Sequence, residues 1–275
     1  MTNKLLFFVL LALCFSGCDM LETHPYDVHI TGERELTNKN IQLIENKMQG
    51  KKTIRFAMIS DTQRWYNSTE DVVKALNARG DIDFVIHGGD QSDFGVTKEF
   101  IWMRDIFNKF QMPYVCLLGN HDCLGTGEDA YRAIYGDPNF AFTAGNVRFI
   151  CLNTNAMEYD YSEPVPDFNF IENELNNLSP EIEKTVFAMH VKPFEFVFNN
   201  NVAKIFQLYV NQFPKVQFCL YGHEHKFAVD DLFNDGDDLF NDGVLYFQCP
   251  CIDKRIYLLF TIKEDGTYDY ETVEF

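Results

Sequence analysis

The sequence PYVCLLGNHD, from Pro113 to Asp122, contains the features that decide the fold. Its short apolar part, 114–118, predicts a buried strand. Gly119 permits a sharp turn of the backbone at the end of that strand. The Asn, His and Asp that follow can bind a metal, transfer a proton and orient the proton donor. The stretch therefore predicts a strand with polar chemistry at its end, although an ordinary polar turn would have the same composition.

Four other apolar runs in the chain also end in Asp or His. Such a pattern is hard to obtain by chance when it recurs at five strand ends, and it indicates that the strand ends form one site. The four runs are Ile54–Asp61, Phe84–Asp90, Thr185–His190 and Val216–His225.

Strand and helix patterns alternate up to Tyr221, and after it strands follow strands. This order predicts an α/β fold in which two packed β-sheets are covered by helices on the outside. The predicted strands are Ile54–Ile59, Phe84–His87, Tyr114–Leu118, Val147–Leu152, Val186–His190, Val216–Tyr221, Val244–Gln248, Ile256–Ile262 and Tyr268–Val273. The predicted helices are Thr69–Ala78 after a Ser68 cap, Lys98–Phe110, Glu128–Tyr135, Phe168–Leu178 after an Asp167 cap, and Val202–Phe213.

The first residues are typical of an export signal. Lys4 precedes the apolar run 5–15, which is too short to span a bilayer. The next residues resemble a bacterial lipobox, with Cys18 as the lipidated residue, Cys14 as the weaker candidate, and a buried N-terminal strand or helix as the alternative. We therefore expect a signal peptide at 1–17, a tether and edge segment at 18–52, a catalytic domain at 53–275, and a cell-envelope lipoprotein anchored in the lipid bilayer.

The charge balance limits the partners of the protein. The 275-residue chain has 23 basic and 41 acidic residues, a net charge of −18. Such an excess of negative charge argues against binding to long nucleic acids, which carry a dense negative charge themselves. It does not exclude a small phosphate ester, because bound metal cations override the overall field locally.

One segment is duplicated near the end of the chain. Asp231–Gly236 is repeated as Asp238–Gly243, and both copies read DLFNDG. A calcium loop needs an oxygen ligand at the position that Phe233 and Phe240 occupy in the two copies. The duplication therefore predicts a lengthened hairpin with Asn-Asp-Gly turns.

Eight residues at or just after the strand ends form the candidate site. Most are Asp or His, and the others carry amide oxygens, a mixture that suits two divalent cations such as zinc, manganese or iron. Between two such cations, an Asp can act as a bridge. The eight residues are Asp61, Gln63, Asp90, Asn120, His121, His190, His223 and His225.

The order of these residues resembles the calcineurin-like metallophosphoesterase superfamily, whose motifs are DxH, GD, GNH[DE], H and GHxH. The resemblance spans Ile54 to His225 and implies two mixed sheets in a four-layer α/β/β/α sandwich. It also implies a dinuclear metal site whose bridging hydroxide attacks a phosphate mono- or diester. The implied roles are a first metal on Asp61 and His225, a bridging Asp90, a second metal on Asn120, His190 and His223, and a general acid His121 whose ring Asp122 holds.

The chain departs from the pattern at Gln63, where the superfamily has His. A Gln can bind a metal through its carbonyl oxygen, a neutral and harder donor than imidazole, so we expect a weaker first site that tolerates manganese. Arg64 and Lys192 follow predicted ligands and are candidates for binding the substrate phosphate. A solvated loop is an equal alternative for both.

Two functions of different kinds fit the sequence. The first is a metal-dependent hydrolase of phosphate esters, favoured by His121, because a scaffold has no use for a proton donor. The second is a degenerate, non-catalytic binding or scaffold protein with the same fold, favoured by the substitution at Gln63.

His87 lies in the middle of a predicted strand and is expected to be a core histidine.

Overall fold

The computed structural model describes residues 24–234 and 243–275. The predicted signal peptide and Cys18 lie outside these residues, as does most of the second copy of the duplicated segment. The strands are β1 Ile54–Ile59, β2 Phe84–His87, β3 Tyr114–Cys116, β4 Phe140–Ala144, β5 Val147–Leu152, β6 Lys184–Met189, β7 Val216–Tyr221, β8 Ala228–Asp230, β9 Tyr246–Gln248, β10 Ile256–Ile262 and β11 Tyr268–Glu274. The helices are α1 Leu36–Met48, α2 Tyr66–Arg79, α3 Thr97–Phe107, α4 Gly127–Ile134, α5 Phe168–Asn176 and α6 Ala203–Val210.

The strands form two mixed sheets. The five-stranded sheet has the order β11-β10-β1-β2-β3, in which β1, β2 and β3 are parallel and β10 is antiparallel to β1. The six-stranded sheet has the order β4-β5-β6-β7-β9-β8, with β5, β6, β7 and β9 parallel and an antiparallel strand at each edge. In each sheet the parallel strands are adjacent to one another, so their carboxyl ends meet along one edge of that sheet.

The two sheets pack face to face through aromatic side chains. Phe56 on β1 meets Phe149 on β5 edge-to-face, with ring centroids 5.4 Å apart, and Phe218 on β7 stacks on Phe260 on β10 at 4.7 Å. Such rings bury large apolar areas and prefer these geometries. Helices α2, α3 and α4 cover the outer face of the five-stranded sheet, and α5 and α6 cover that of the other. The predicted four-layer α/β/β/α sandwich is therefore confirmed.

Helix α1 closes one side of the sandwich. Its bounds agree with the modest helical pattern in the sequence, and its Ile44 and Met48 are buried in the core between the sheets. Asn40 accepts a hydrogen bond from the backbone N–H of Tyr114 on the edge strand β3, at 3.0 Å. Because that donor would otherwise lack a partner at the sheet edge, the helix protects the edge from pairing with another chain.

The structure adds two strands that the sequence analysis did not predict. Strand β4 pairs with β5 through the two-residue turn Gly145-Asn146, a hairpin signal that the prediction overlooked. Strand β8 has only three residues, but its antiparallel pairing with β9 agrees with the hairpin predicted around the duplicated segment. The predicted Ser68 cap is wrong, because α2 already begins at Tyr66.

The predicted Asp167 cap is confirmed, because its side chain accepts hydrogen bonds from the backbone N–H groups of Asn169 and Phe170. His87 is buried as predicted, and burial lowers its pKa to about 3. Across residues 24–234 and 243–275, none of the helices combines the length and the apolar character that crossing a bilayer requires.

Candidate metal centre

The centre of the site is a pair of buried carboxylates at neighbouring strand ends. Asp61 follows β1 and Asp90 follows β2, and both adopt a positive φ, 52° and 61°. This backbone conformation is unfavourable for residues other than glycine and is maintained here by the surrounding structure. With His190 after β6, the two carboxylates form a group whose ligand atoms all lie within 4.8 Å of one another. The site thus joins the edges of both sheets.

The three residues assigned to a second metal also converge. The Oδ1 atom of Asn120 lies 3.1 Å from Nε2 of His190 and 3.0 Å from Nδ1 of His223. Nδ1 of His190 lies 2.7 Å from the carbonyl oxygen of Gly88. A proton on Nδ1 can be donated to that carbonyl, which leaves Nε2 of the neutral ring free to bind a metal.

The electrostatics of this cluster favour a cation. Burial by itself lowers the pKa of His190, but the nearby carboxylate of Asp90 outweighs burial and raises it to about 9. Burial likewise opposes ionisation of Asp90, yet the charge of His190 keeps the pKa of Asp90 below its usual value. The negative charge of the buried carboxylates is thus balanced by a positive neighbour, which is the role a metal cation would fill.

The residues assigned to a first metal include Gln63, which leaves one polar atom unsatisfied. Nε2 of His225 lies 3.3 Å from Oδ1 of Asp61, and Nε2 of Gln63 lies 3.3 Å from Oδ2 of Asp90. The other end of the same amide, Oε1 of Gln63, is buried and has no hydrogen-bond partner in the described part of the chain. A buried amide oxygen without a partner is unfavourable, and a cation beside it would remove that cost. The residues present therefore fit a metal.

Two glycines allow the backbone to approach the carboxylates. A Cβ atom on Gly119 would lie 2.1 Å from Oδ1 of Asp90, and one on Gly222 would lie 2.8 Å from Oδ2 of Asp61. Real Cβ atoms do not come this close to backbone or buried carboxylate oxygens. These positions accordingly require glycine.

The candidate general acid His121 lies beside the candidate metal ligands, with its side chain 37% exposed. Its backbone N–H donates to Oδ1 of Asp90 at 3.0 Å, and its ring Nδ1 lies 2.9 Å from the carbonyl oxygen of Asp93. The ring is therefore oriented by the backbone of Asp93.

The expectation that Asp122 holds the ring of His121 is wrong. The buried carboxylate of Asp122 instead accepts four backbone N–H groups, at 2.8 to 2.9 Å, from residues 90, 91, 92 and 119. Burial and the charge of Asp90 raise the pKa of Asp122 to about 7, against the hydrogen bonds from the backbone N–H groups of Ser92 and Gly119. Asp122 thus joins the β2 and β3 ends, which carry Asp90 and Asn120.

A pocket of about 190 Å³ adjoins the candidate first metal site. Gln63, His225 and His121 line it on the metal side, and Arg64 and Trp65 form one of its walls. The Arg64 guanidinium forms an ion pair with the Asp93 carboxylate. Arg64 therefore lines the pocket, with its charge partly neutralised by Asp93.

Lys192 has a different environment from the one predicted. Its side chain is 11% exposed, and its ammonium nitrogen lies 2.8 Å from Oδ2 of Asp230 and 3.6 Å from carboxylate oxygens of both Glu195 and Glu224. An ammonium that already has three carboxylate neighbours is poorly suited to bind phosphate. Because Glu224 lies between two predicted ligands, Lys192 instead connects the β6 and β7 loops that carry them.

Some residues of the site were not predicted from the sequence. Asp93 had a weak signal, because it is a second acidic side chain three residues after Asp90. Ser60, which donates to Oδ2 of Asp61 at 2.5 Å, had none. Cys251, Asp253 and Lys254 also line the pocket, because the loop after β9 passes close to the end of β1. No motif marks that loop, and only the folded chain shows its position.

Comparison with known proteins identifies the family. A family model for calcineurin-like phosphoesterases matches residues 54–227. A cyanobacterial 3′,5′-cyclic-nucleotide phosphodiesterase from Nostoc is 25% identical over 166 residues, which cover 56% of this chain and 60% of that protein. The chain therefore spans less than two thirds of the length of this curated relative.

Solved structures share the fold at low sequence identity. A dimetal phosphatase from Danio rerio has a TM-score of 0.59 at 11% sequence identity. The match covers 80% of this chain and 98% of that one. The Plasmodium protein GAP50, described as the anchor in the inner membrane complex, has a TM-score of 0.57 at 13% identity and covers 82% and 85%. Proteins with this fold thus include a phosphatase and an anchor protein.

The family match and the converging candidate ligands together show that the chain belongs to the calcineurin-like phosphoesterase family.

Proposed function

We propose that this phosphoesterase hydrolyses small phosphate mono- or diesters with two divalent cations. The observation that carries the proposal is the convergence of Asp61, Asp90 and His190, from three strand ends, beside the exposed ring of His121. When bound, two cations would polarise the phosphoryl oxygens and lower the pKa of a water molecule so that it can attack phosphorus.

The ligands would divide between the two cations. Asp61 and His225, with the unsatisfied oxygen of Gln63, would hold one cation. The other would be held by Asn120, His190 and His223, whose ligand atoms already lie about 3 Å apart. Asp90 lies between the two groups, within 3.4 Å of His190 and 3.3 Å of Gln63, and would bridge the cations.

His121 would supply the proton for the leaving oxygen. In the imidazolium form both ring nitrogens carry protons, and Nδ1 can donate to the carbonyl of Asp93. The proton on Nε2 then remains for the leaving oxygen, and the hydrogen bond at Nδ1 keeps the ring oriented. A cyclic-nucleotide diester is one candidate substrate, since the Nostoc relative is named for that activity.

The proposal is tested by metal analysis of the purified chain, together with assays on aryl phosphate mono- and diesters in the presence of added manganese. We expect up to two metal ions per chain and metal-dependent hydrolysis of at least one ester class. A protein that binds metal and hydrolyses neither class would support the non-catalytic alternative instead.

We also propose that the protein is exported and anchored in the cell envelope through a lipid on Cys18. The support is the short apolar run 5–15 followed by the lipobox-like residues. An anchor of this kind would hold the domain at a membrane surface without a membrane-spanning helix.

A further inference from the structure

Part of the pocket lining, Cys251, Asp253 and Lys254, belongs to a loop that no motif describes. Residues 249–255 join β9 to β10 and lie outside the part of the chain that the family model matches. The backbone N–H of Ile252 donates to the carbonyl of Ser60 at 3.1 Å, and the Cys251 thiol donates to the carbonyl of Asp61 at 3.1 Å. The loop is therefore attached directly to the strand end that carries the metal ligand Asp61.

The far end of the loop is fixed as well. Lys254 donates its backbone N–H to the carbonyl of Cys251 at 2.9 Å, within a short 3-10 turn. The Arg255 guanidinium donates to Oδ2 of Asp71 on α2 at 3.2 Å and to the backbone carbonyl of Phe275 at 2.9 Å. With hydrogen bonds on both sides of it, the backbone of Lys254 has a defined position at the pocket.

The two cations of the pocket differ in their partners. Arg64 is paired with Asp93, whereas the ammonium of Lys254 forms no ion pair with any residue that the structure describes. Asp253 lines the same pocket but is not within ion-pair distance of Lys254. An exposed cation without an ion-pair partner at the pocket can attract an anionic ligand, even in a chain with a net charge of −18.

We propose that Lys254 is a specificity-determining residue that binds an anionic group on the leaving group of the substrate. This rests on the proposed function, because the leaving group must occupy the pocket that contains the proton donor His121, and Lys254 lines the same pocket. The pocket therefore selects phosphate esters whose leaving group carries a second negative charge, a carboxylate or a phosphate, close to the ester oxygen.

The test compares two leaving groups that differ in charge. Meta-carboxyphenyl phosphate carries the second anion, and meta-carbamoylphenyl phosphate is its neutral counterpart of similar shape. The kcat/KM of each is measured for the wild type, Lys254→Gln, Lys254→Arg and Asp253→Asn. Lys39→Gln is the control for net charge. It removes an exposed charge on α1, near the end of β3 that lies away from the site.

We expect the wild type to prefer the carboxylated substrate about fivefold, the size of a well-placed exposed ion pair. Lys254→Gln should abolish this preference, mainly through KM, because the charge contact exists before the transition state. Lys254→Arg should keep it, and Asp253→Asn should increase it, because a competing negative charge is removed. Lys39→Gln should leave the preference as in the wild type. Equal selectivity in the wild type and in Lys254→Gln would overturn the inference.

A second measurement separates this inference from the proposed function. Binding of the two corresponding phosphonates, which cannot be hydrolysed at the phosphorus–carbon bond, is measured by calorimetry on the metal-loaded protein. A charge preference that disappears in Lys254→Gln supports the inference even if no ester is hydrolysed, and in that case only the proposed function fails. Absence of any preference in binding refutes the role of Lys254, whether or not the protein is an active hydrolase.

Discussion

Asp122→Asn tests whether Asp122 supports the backbone or the ring of His121. The carboxylate accepts four backbone N–H groups, two on each oxygen, and is fully buried. An asparagine keeps only one oxygen, so two of these N–H groups would face an NH₂ group. Each unsatisfied buried donor costs about 1–3 kcal/mol, so the lost hydrogen bonds alone cost about 2–6 kcal/mol. The substitution also removes a buried charge that Asp90 repels, which offsets part of this cost, and we expect a net loss in the lower part of that range.

The assay is urea unfolding of the metal-free protein. Burial raises the pKa of Asp122 to about 7, so the measurement is made above that pH, where the carboxylate is ionised. Asp167→Asn is the matched control. A single oxygen, Oδ1 of Asp167, accepts both of its backbone N–H groups at the start of α5, and an asparagine can retain that oxygen. We expect little change in that variant, because Asn and Asp cap helices almost equally well.

One result would refute the reasoning. If Asp122→Asn lost less than about 1 kcal/mol and slowed only the esters with poor leaving groups, the carboxylate would support the proton donor instead of the backbone. Because Asp122 joins the strand ends that carry Asp90 and Asn120, we also expect weaker metal binding in this variant.

Four further substitutions test the site and the anchor. Asp90→Asn should abolish hydrolysis and reduce metal content below that of the wild type, because a neutral amide cannot bridge two cations; unchanged metal and activity would rule out the bridge. His121→Ala should keep its metal but slow turnover by about 10²–10⁴-fold on esters with poor leaving groups, and less on aryl esters; loss of metal would make His121 a ligand. Gln63→His should tighten zinc binding relative to manganese in metal titrations, because imidazole is the stronger ligand for zinc; affinities equal to those of the wild type and of Gln63→Ala would remove Gln63 from the site. Cys18→Ser should move the protein from the membrane fraction to the soluble fraction, and a variant that remains membrane-bound after a salt wash would contradict a single lipid anchor.

Much of the fold and the candidate ligands could be predicted from the sequence. Apolar runs that end in Asp or His gave the central strands and placed Asp61, Asp90 and His190 at strand ends, because strand patterns and turn residues are local properties. The convergence of Asp61 and Asp90 depends only on neighbouring parallel strands having their carboxyl ends at the same edge. His190 comes from the other sheet and reaches them because the two sheets pack face to face.

The partner of each polar side chain was decided by the tertiary structure. Asp122 follows His121 directly, yet its carboxylate turns to the backbone of residues 90–92, and Asp93 orients the ring instead. Lys192 follows the candidate ligand His190 by two residues, yet its ammonium pairs with Asp230 and two glutamates. The position of Cys251, Asp253 and Lys254 in the pocket lining depends on the pairing of a late loop with the end of β1. Sequence order specifies which chemical groups reach the site, but hydrogen-bond partners are set by contacts between residues far apart in the chain, and no local pattern encodes those distances.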